Sequence, residues 1–293
     1  MISREDCLTS HATASALAGS LQLPTPAQSA LKHTSDHFGQ GSGSSLDFQD
    51  HREYMLGDDT RHIDWNAYAR TGFYTMKQFH EEVRPIVDLI FDVSPSMFFD
   101  VEKKCRTLEL FYWIVESSKQ SAASLHIHVV GGHHHQLLEA DAVQNHHWIQ
   151  EVNEWQTTPI DGAPQLAAIP LRAKSNRILL SDLLFSEDPK NCLRNLTHYH
   201  GSLLLFCPFL ASEAEPRWAG NVDFIDVESG LRRASHVDQK MLDGYLASYA
   251  RHYALWSDEC ARHGGKIVRV TAEGDFAEVM FRECMAVGML AQR

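Results

Sequence analysis

After Pro85 the sequence alternates short apolar runs with segments of helical periodicity, and this alternation limits the folds open to the chain. The run "IVDLIF" at 86–91 is nearly all apolar, as expected of a central strand covered on both faces. The segment 103–122 has apolar residues at 108, 110–111 and 114–115, a spacing that predicts a helix. Alternating strands and helices favour a doubly wound α/β domain with a mainly parallel sheet and helices on both faces.

The other predicted elements continue this pattern to the end of the chain. Further strands are expected at 125–131, 176–182, 202–207 and 266–270, and further helices at 141–155, 237–262 and 275–290. A hairpin is expected around Glu228–Gly230. The predicted organisation is an N-terminal segment and flexible linker over 1–44 with a short helix at 27–34, a β-rich appendage over 45–84, and the α/β domain over 85–293.

Charge and composition exclude several classes of partner. The formal net charge of −12 over 293 residues argues against nucleic acid and anionic membranes. Two short basic pairs, Lys103–Lys104 and Arg232–Arg233, are interpreted as solvated surface. No window reaches the roughly 18 apolar residues of a membrane span. Six cysteines without a C-x-x-C pair are typical of reduced thiols, so a soluble, cytoplasmic protein is expected.

Two of the predicted strands end in a carboxylate. Asp92 follows "DLIF", with Ser94 and Ser96 at alternate positions after it, and Asp182 follows "RILLS". Because sites in open α/β sheets form at the carboxyl ends of the strands, we expect these side chains to lie together. Oxygen-only ligands suit Mg²⁺ or Mn²⁺. The alternative from spacing alone is that Asp92 and Ser94 only cap the turn and helix that follow.

These motifs resemble a known family. "DVSPS" matches the D-x-S-x-S metal-ion-dependent adhesion motif of von Willebrand factor A domains. "REYMLGDDTRHIDWNAYART" and "EEVRPIVDLIFDVSPSM" resemble the signature of the bacterial "domain of unknown function 58" family, and the likeness continues through "LLSDLLF" and "VDFIDVESG" to about residue 290. The resemblance implies a von Willebrand A-like α/β fold, with 45–84 as a family-specific β-rich appendage.

The resemblance also implies a metal site, carried over residue by residue. The implied ligands are Asp92, Ser94, Ser96 and Asp182. This chain departs from the family where a threonine is expected, because Ala163 stands there and alanine cannot ligate a metal. The nearby oxygen donors that remain as alternatives are Thr157, Thr158 and Asp161.

The most specific part of the resemblance lies at 57–70. Its signature residues are Asp58, Asp59, Arg61, Asp64, Trp65 and Arg70. A functional interpretation makes them a docking face for a partner, since exposed aromatic side chains often anchor interfaces. The structural alternative is a network of ion pairs that stabilises the appendage. In either case the turn at 57–59 carries an aspartate able to cap the short helix after it.

Histidines form a second candidate site. The chain has 18 of them, including "HIH" at 126–128 and "HHH" at 133–135. His126 and His128 would share one face of a strand, a geometry that zinc sites use. No cysteine or acidic residue completes a familiar spacing, so surface histidines in a loop are the favoured interpretation.

The resemblance finally implies a partner and a process. Proteins of this family are thought to work with MoxR-type AAA+ ATPases in the assembly or maturation of other complexes. We therefore expect a non-enzymatic protein-interaction module that binds such an ATPase, or one of its clients, through the metal site. One alternative is a metal-dependent hydrolase in which Asp92 and Asp182 hold the ion and activate water. Another is a site that is purely architectural.

Overall fold

A computed structural model describes residues 1–24, 46–55, 58–81, 84–156 and 163–292. The chain forms two compact units, one of residues 1–29 with 85–293 and one of residues 30–84. The division predicted from the sequence, with boundaries at 44/45 and 84/85, stays a prediction.

The secondary structure follows the predicted alternation. Among the described residues the α-helices are α1 (Arg4–Ala18), α2 (Trp65–Thr71), α3 (Val101–Gln120), α4 (Ala140–Gln144), α5 (Trp148–Trp155), α6 (Pro189–Thr197), α7 (Ala211–Ala214), α8 (Gln239–Arg262) and α9 (Phe276–Val279). The helix predicted over 275–290 begins as α9 and continues as a π-helix over Met280–Cys284. The strands are β1 (Leu21–Gln22), β2 (Leu46–Glu53), β3 (Thr75–Glu81), β4 (Ile86–Asp92), β5 (Ser124–Gly131), β6 (His134–Leu138), β7 (Asn176–Leu180), β8 (Ser202–Phe209), β9 (Gly220–Ile225), β10 (Arg232–Val237), β11 (Lys266–Thr271) and β12 (Ala291–Gln292).

Six strands form the central sheet of the larger unit. Their order is β11–β8–β7–β4–β5–β6, and all neighbours are parallel except the edge strand β6, which is antiparallel to β5. Leu89 and Phe91 pack into the core on the side of α1 and α3, and Ile90 packs into the core on the side of α6 and α8. Both faces of the sheet are therefore covered, which confirms the predicted α/β architecture of a mainly parallel sheet with helices on both faces.

Helix α1 is an element that the sequence pattern does not reveal. It packs along α3 and buries Cys7 and Ala14, while the Trp113 indole N–H donates to the Leu21 carbonyl oxygen at 3.0 Å. Its small residues give little contrast between faces, so the helical period is faint in the sequence. The helix is specified instead by a capping box between Ser3 and Asp6. The predicted helix at 27–34 lies outside the described residues.

Two local predictions are wrong in detail. The single helix predicted over 141–155 is broken into α4 and α5, because His146 adopts a left-handed backbone with φ +57°. The sequence favours surface histidines in a loop at 133–135; His134 and His135 are exposed, but they lie in strand β6 and not in a loop. Strand β6 pairs with β5 and closes that edge of the sheet.

Helix α8 is the longest described helix, with 24 residues after its cap at Asp238. It buries Tyr249, Tyr253 and Trp256 against the sheet side that also carries α6. Across the described residues, no helix combines the length and apolar character needed to cross a bilayer.

The smaller unit contains an antiparallel strand pair and a short helix. Strands β2 and β3 pair with one irregularity between Phe48 and Asp50, and helix α2 lies between them in the sequence. Asp64 caps α2 by accepting backbone N–H bonds from Asn66 and Ala67. The cap predicted in the turn at 57–59 is observed at Asp59, which accepts the Arg61 backbone N–H, and β2 and β3 lie within the β-rich appendage predicted over 45–84.

Candidate functional site

The carboxyl ends of β4 and β7 meet at one edge of the sheet. The strands are parallel neighbours, with Phe91 opposite Leu180 in the register. Asp92 ends β4, and Ser181 and Asp182 directly follow β7. The Ser181 hydroxyl donates to Asp92 Oδ2 at 2.6 Å, so the two strand ends are joined by a short hydrogen bond. The predicted convergence of the two ends is therefore observed.

The loop after Asp92 directs its hydroxyls to one place. The Ser94 backbone N–H donates to Asp92 Oδ1 at 3.0 Å, which closes a tight turn. Ser94 Oγ and Ser96 Oγ then lie 3.1 Å apart. Two hydroxyls and one carboxylate from five consecutive residues thus face a common space.

The loop after β7 is held rigidly around Asp182. Leu183 adopts a left-handed backbone with φ +59°, which is uncommon for a residue with a branched side chain. Asp182 Oδ1 accepts the Leu184 backbone N–H at 3.1 Å. From helix α8, the Tyr253 hydroxyl donates to the Asp182 carbonyl at 2.8 Å, and His252 Nε2 lies 2.8 Å from the Leu183 carbonyl oxygen. The surrounding fold therefore fixes a backbone conformation that would be unfavourable alone.

Lys103 is a buried member of this site and not part of the solvated surface that its sequence context predicts. Its ammonium group has no exposed area and lies 2.9 Å from Asp182 Oδ2 and 2.8 Å from Glu213 Oε1. Burial alone would lower the pKa of Lys103, but the charges of Asp182 and Glu213 raise it above its ordinary value. The lysine therefore carries its charge and neutralises part of the acidic cluster.

Glu228 reaches the same place from the hairpin of β9 and β10. The Ser96 backbone N–H donates to Glu228 Oε1 at 3.1 Å. Glu228 Oε2 is buried and has no hydrogen-bond partner in the described part of the chain. Burial raises the pKa of Glu228, and the charge of Asp182 also raises it. The sequence predicts the turn at this position, but not that its side chain enters the site.

These side chains surround a small cavity of about 150 Å³. Its lining consists of Asp92, Ser94, Ser96, Gly132, Ala163, Pro164, Asp182, Leu184, Phe185, Ser186 and Glu228. All four predicted metal ligands are on its wall. Ala163 is there as well, at the place where the family resemblance calls for a threonine. The alternative donors Thr157, Thr158 and Asp161 lie outside the described residues.

The electrostatics of the cavity favour a cation. Burial, followed by the nearby charge of Asp182, raises the pKa of Asp92 to about 7. Besides these two aspartates, Glu213 and Glu228 bring carboxyl groups to the cluster. Among the described residues, one ammonium group lies beside these four acids, that of Lys103. The carboxyl groups around the cavity thus outnumber the ammonium group.

The donor atoms fit a small, hard divalent cation. Over the described ranges, no three side chains among histidine, cysteine, aspartate and glutamate are arranged to hold a metal by themselves. Hydroxyl groups and water would therefore have to supply most of the ligands, as Mg²⁺ tolerates. The orphaned, buried Oε2 of Glu228 is an acceptor in need of a positive partner. All-oxygen donors, excess negative charge and an unpaired acceptor are consistent with Mg²⁺ or Mn²⁺.

The signature residues at 58–70 are placed in the smaller unit, where the contacts shown are local. Arg61 forms a 2.6 Å ion pair with Asp59, in which the arginine side chain is largely exposed. Asp59 and Asp64 cap the short helical turns that follow them. Arg70 Nε donates to the Asn66 carbonyl oxygen at 3.3 Å.

The remaining signature residues also have a turn or surface position. Asp58 accepts the Met55 backbone N–H at 2.8 Å. Trp65 opens helix α2 with 59% of its surface exposed, and its ring lies edge-on to Tyr68 at a centroid distance of 6.2 Å. The acids therefore shape backbone turns, while the tryptophan is available for contact with other molecules.

The histidine cluster is structural where it is buried. His128 is fully buried and stacks on His135, with His128 Nδ1 3.1 Å from His135 Nε2. The expectation of surface histidines in a loop is therefore wrong for His128. An acidic residue does lie near this histidine, although the sequence spacing does not reveal it: Asp88 Oδ1 is 3.8 Å from His128 Nε2.

Comparison with known proteins identifies a family. The family model described as "Protein of unknown function DUF58" matches residues 50–254, well over half of the chain. Among solved structures, the chain is similar to the crystal structure of the conserved hypothetical protein BatB from Bacteroides thetaiotaomicron, with 9% identity and a TM-score of 0.38. That likeness covers 69% of this chain and 98% of the BatB chain. No curated protein matches this sequence.

Proposed function

The chain belongs to the DUF58 family of proteins of unknown function, and on that premise we propose that it is a non-enzymatic protein-interaction module. In this proposal it binds its partner through a divalent cation held at the carboxyl edge of the central sheet. The single observation that carries the proposal is the cavity in which Asp92, Asp182 and Glu228 gather around the Ser94 and Ser96 hydroxyls.

The size of the cavity favours a macromolecular partner over a small-molecule substrate. Sites for drug-sized ligands typically enclose about 300–1,000 Å³. The cavity here measures about 150 Å³, which accommodates an ion and the tip of one side chain. A partner protein that inserts one acidic side chain fits these dimensions.

Exposed apolar side chains lie close to the cavity. Leu184 is on the cavity wall and is 42% exposed. Phe99 and Val227, which are 50% and 40% exposed, line an adjacent depression together with Pro95. Protein interfaces often combine apolar contact area with a few specific polar groups. This surface supports a docking face centred on the acidic cavity.

Each predicted ligand has a role in this proposal. Ser94 and Ser96 present neutral oxygens to the ion, and Asp92 and Asp182 provide negative charge directly or through water. When bound, Mg²⁺ or Mn²⁺ supplies a positive centre with coordination positions left for a carboxylate of the partner. Because Lys103 already neutralises part of the charge of Asp182, the ion keeps its attraction for an incoming acid.

The family resemblance points to a MoxR-type AAA+ ATPase, or one of its clients, as the partner. The process would be the assembly or maturation of protein complexes in the cytoplasm. The six cysteines support a reducing compartment, because all are free thiols and five are buried. A metal-dependent hydrolase at the same cavity is the alternative, but none of the contacts described above specifically favours it.

Affinity capture tests this proposal. Purified wild-type protein, immobilised, is incubated with a purified MoxR-type ATPase from the same genome, with Mg²⁺ or with EDTA. We expect capture in Mg²⁺ that EDTA abolishes and that Ser94→Ala weakens at least about tenfold. Ser248→Ala, on the exposed side of α8, is the matched control and should capture like the wild type. Equal capture by Ser94→Ala and the wild type would contradict a metal bridge.

A further inference from the structure

The hairpin of β9 and β10 is built to place Glu228 over the cavity. Asp226 Oδ1 accepts the backbone N–H groups of Glu228 and Ser229 at 2.8 and 3.1 Å. Gly230 completes the turn with φ +71°, a conformation that favours glycine. The turn therefore has a defined shape, and the direction of Glu228 follows from it.

One carboxylate oxygen of Glu228 is accounted for and the other is not. Oε1 accepts the Ser96 backbone N–H, which ties the hairpin to the loop that carries both site hydroxyls. Oε2 is buried and has no hydrogen-bond partner among the described residues. A buried carboxylate oxygen without a donor is costly, so such an atom calls for a positively charged group.

At Ala163, by contrast, an oxygen ligand is missing. This residue lines the same cavity, where the resemblance requires a threonine hydroxyl, and its methyl group cannot coordinate a cation. The cavity thus combines one oxygen ligand too few at position 163 with one unpaired oxygen at Glu228.

From this juxtaposition we infer that Glu228 is a direct ligand of the divalent cation and takes the place of the missing threonine oxygen. The inference rests on the proposed function, because it names an additional ligand in the same site. Ser94 Oγ, Ser96 Oγ and Glu228 Oε2 would then hold the ion, and water and the partner's carboxylate would complete its oxygen ligands. The hairpin then becomes part of the metal site.

Mn²⁺ binding by the full chain tests the inference, measured by isothermal titration calorimetry and by electron paramagnetic resonance of free Mn²⁺. Glu228→Gln keeps the size of the side chain and an oxygen for the Ser96 N–H, but removes the charge. It should weaken Mn²⁺ binding at least about tenfold. Asp223→Asn removes the same charge from strand β9 without touching the cavity and should bind like the wild type.

A second substitution tests the exchange of ligands. Ala163→Thr adds a hydroxyl to the cavity wall, so the double variant Ala163→Thr, Glu228→Gln should recover most of the lost affinity. Hydrogen exchange gives an independent readout. Mn²⁺ should slow the exchange of the amides at 226–231 in the wild type and leave them unchanged in Glu228→Gln.

The possible results separate this inference from the proposed function. If the wild type takes up no Mn²⁺, both are overturned. If it binds Mn²⁺ and Glu228→Gln binds equally well, only the role of Glu228 is overturned. Equal weakening by Asp223→Asn would show an effect of overall hairpin charge and would also overturn it. Absence of recovery in the double variant would refute the exchange with position 163.

Discussion

Asp88 and Asp92 lie four residues apart on β4, on the same face of the sheet, and both side chains are fully buried, yet their surroundings have opposite electrostatic character. Asp88 accepts the Arg172 backbone N–H at 2.9 Å and lies 3.2 Å from the Arg172 guanidinium. Asp92 receives a hydroxyl and a backbone N–H, and it faces the carboxylate of Asp182.

The pKa values express this difference. Burial alone would raise the pKa of Asp88, but the nearby His128 and Ser175 side chains and the hydrogen bond from the Arg172 backbone N–H lower it to about 2. For Asp92, burial and the charge of Asp182 raise the pKa to about 7. A buried acid whose charge is fully compensated stabilises the fold, whereas one that lacks a cation marks a candidate binding site.

Removing the Lys103 ammonium group should have the largest effect on the free energy of unfolding. This group is the positive partner of Asp182 and Glu213, beside the cavity that Asp92 lines. Lys103→Met keeps most of the side-chain volume but leaves Asp182 and Glu213 buried without their counter-charge. We expect the free energy of unfolding to fall by about 3–5 kcal/mol, as measured by urea denaturation. Lys104→Met, on the partly exposed neighbour, is the control. Equal small losses in both variants would show that Lys103 has no special role.

Removing the charge of Asp88 should have the next largest effect. In the wild type, both carboxylate oxygens of Asp88 accept hydrogen bonds from Arg172. In Asp88→Asn, an NH₂ group replaces one of these oxygens and faces an Arg172 donor. The expected loss is about 2 kcal/mol in the free energy of unfolding, the usual contribution of hydrogen bonds to a charged group. Chemical denaturation at neutral pH measures it. A loss no larger than that of Asp92→Asn would remove the distinction between the two aspartates.

The pH dependence of that loss sharpens the comparison. Because the folded-state pKa of Asp88 is about 2, below its ordinary value of 3.8, its stabilisation is present above pH 4. It is lost as the pH falls toward about 2. The difference in stability between the wild type and Asp88→Asn should therefore be constant near neutral pH and should shrink in acid. Denaturation curves between about pH 6 and pH 2.5 give this difference, and a gap that does not shrink would contradict the assignment.

Asp92→Asn should have the smallest effect on stability in the absence of divalent ions. The amide removes one of two facing negative charges, can still accept the Ser94 N–H bond, and can donate to the Ser181 hydroxyl. The free energy of unfolding should remain within about 1 kcal/mol of the wild type in EDTA. Thermal denaturation in EDTA measures it, and a loss as large as that of Lys103→Met would show that Asp92 is architectural.

Local sequence signals were sufficient for much of the fold and for half of the site. The run before Asp92 and the run before Asp182 are short and apolar, so their ends could be located without knowledge of the tertiary structure. Adjacent parallel strands then bring the two ends together. The break at His146 and the helix α1 were missed, because a single left-handed residue and a small-residue helix leave faint patterns.

Lys103 and Glu228 could not be predicted to enter the site. Lys103 is beside a second lysine and after Glu102, a context typical of solvent-exposed helix ends. Its burial depends on Asp182 and Glu213, which are 79 and 110 residues away in sequence. The turn at Glu228 was predictable from its Asp and Gly residues, but the direction in which the hairpin packs is set by long-range contacts.

The most direct test of the central claim is calorimetric titration of the full chain with Mn²⁺, comparing the wild type with the double variant Ser94→Ala, Ser96→Ala. The double variant removes both hydroxyls from the cavity and leaves Asp92, Asp182 and Lys103 in place. The wild type should bind one ion per chain, and the double variant should show no measurable binding. A wild type that binds no Mn²⁺, or a double variant that binds as tightly as the wild type, would contradict the assignment of this cavity as a cation site.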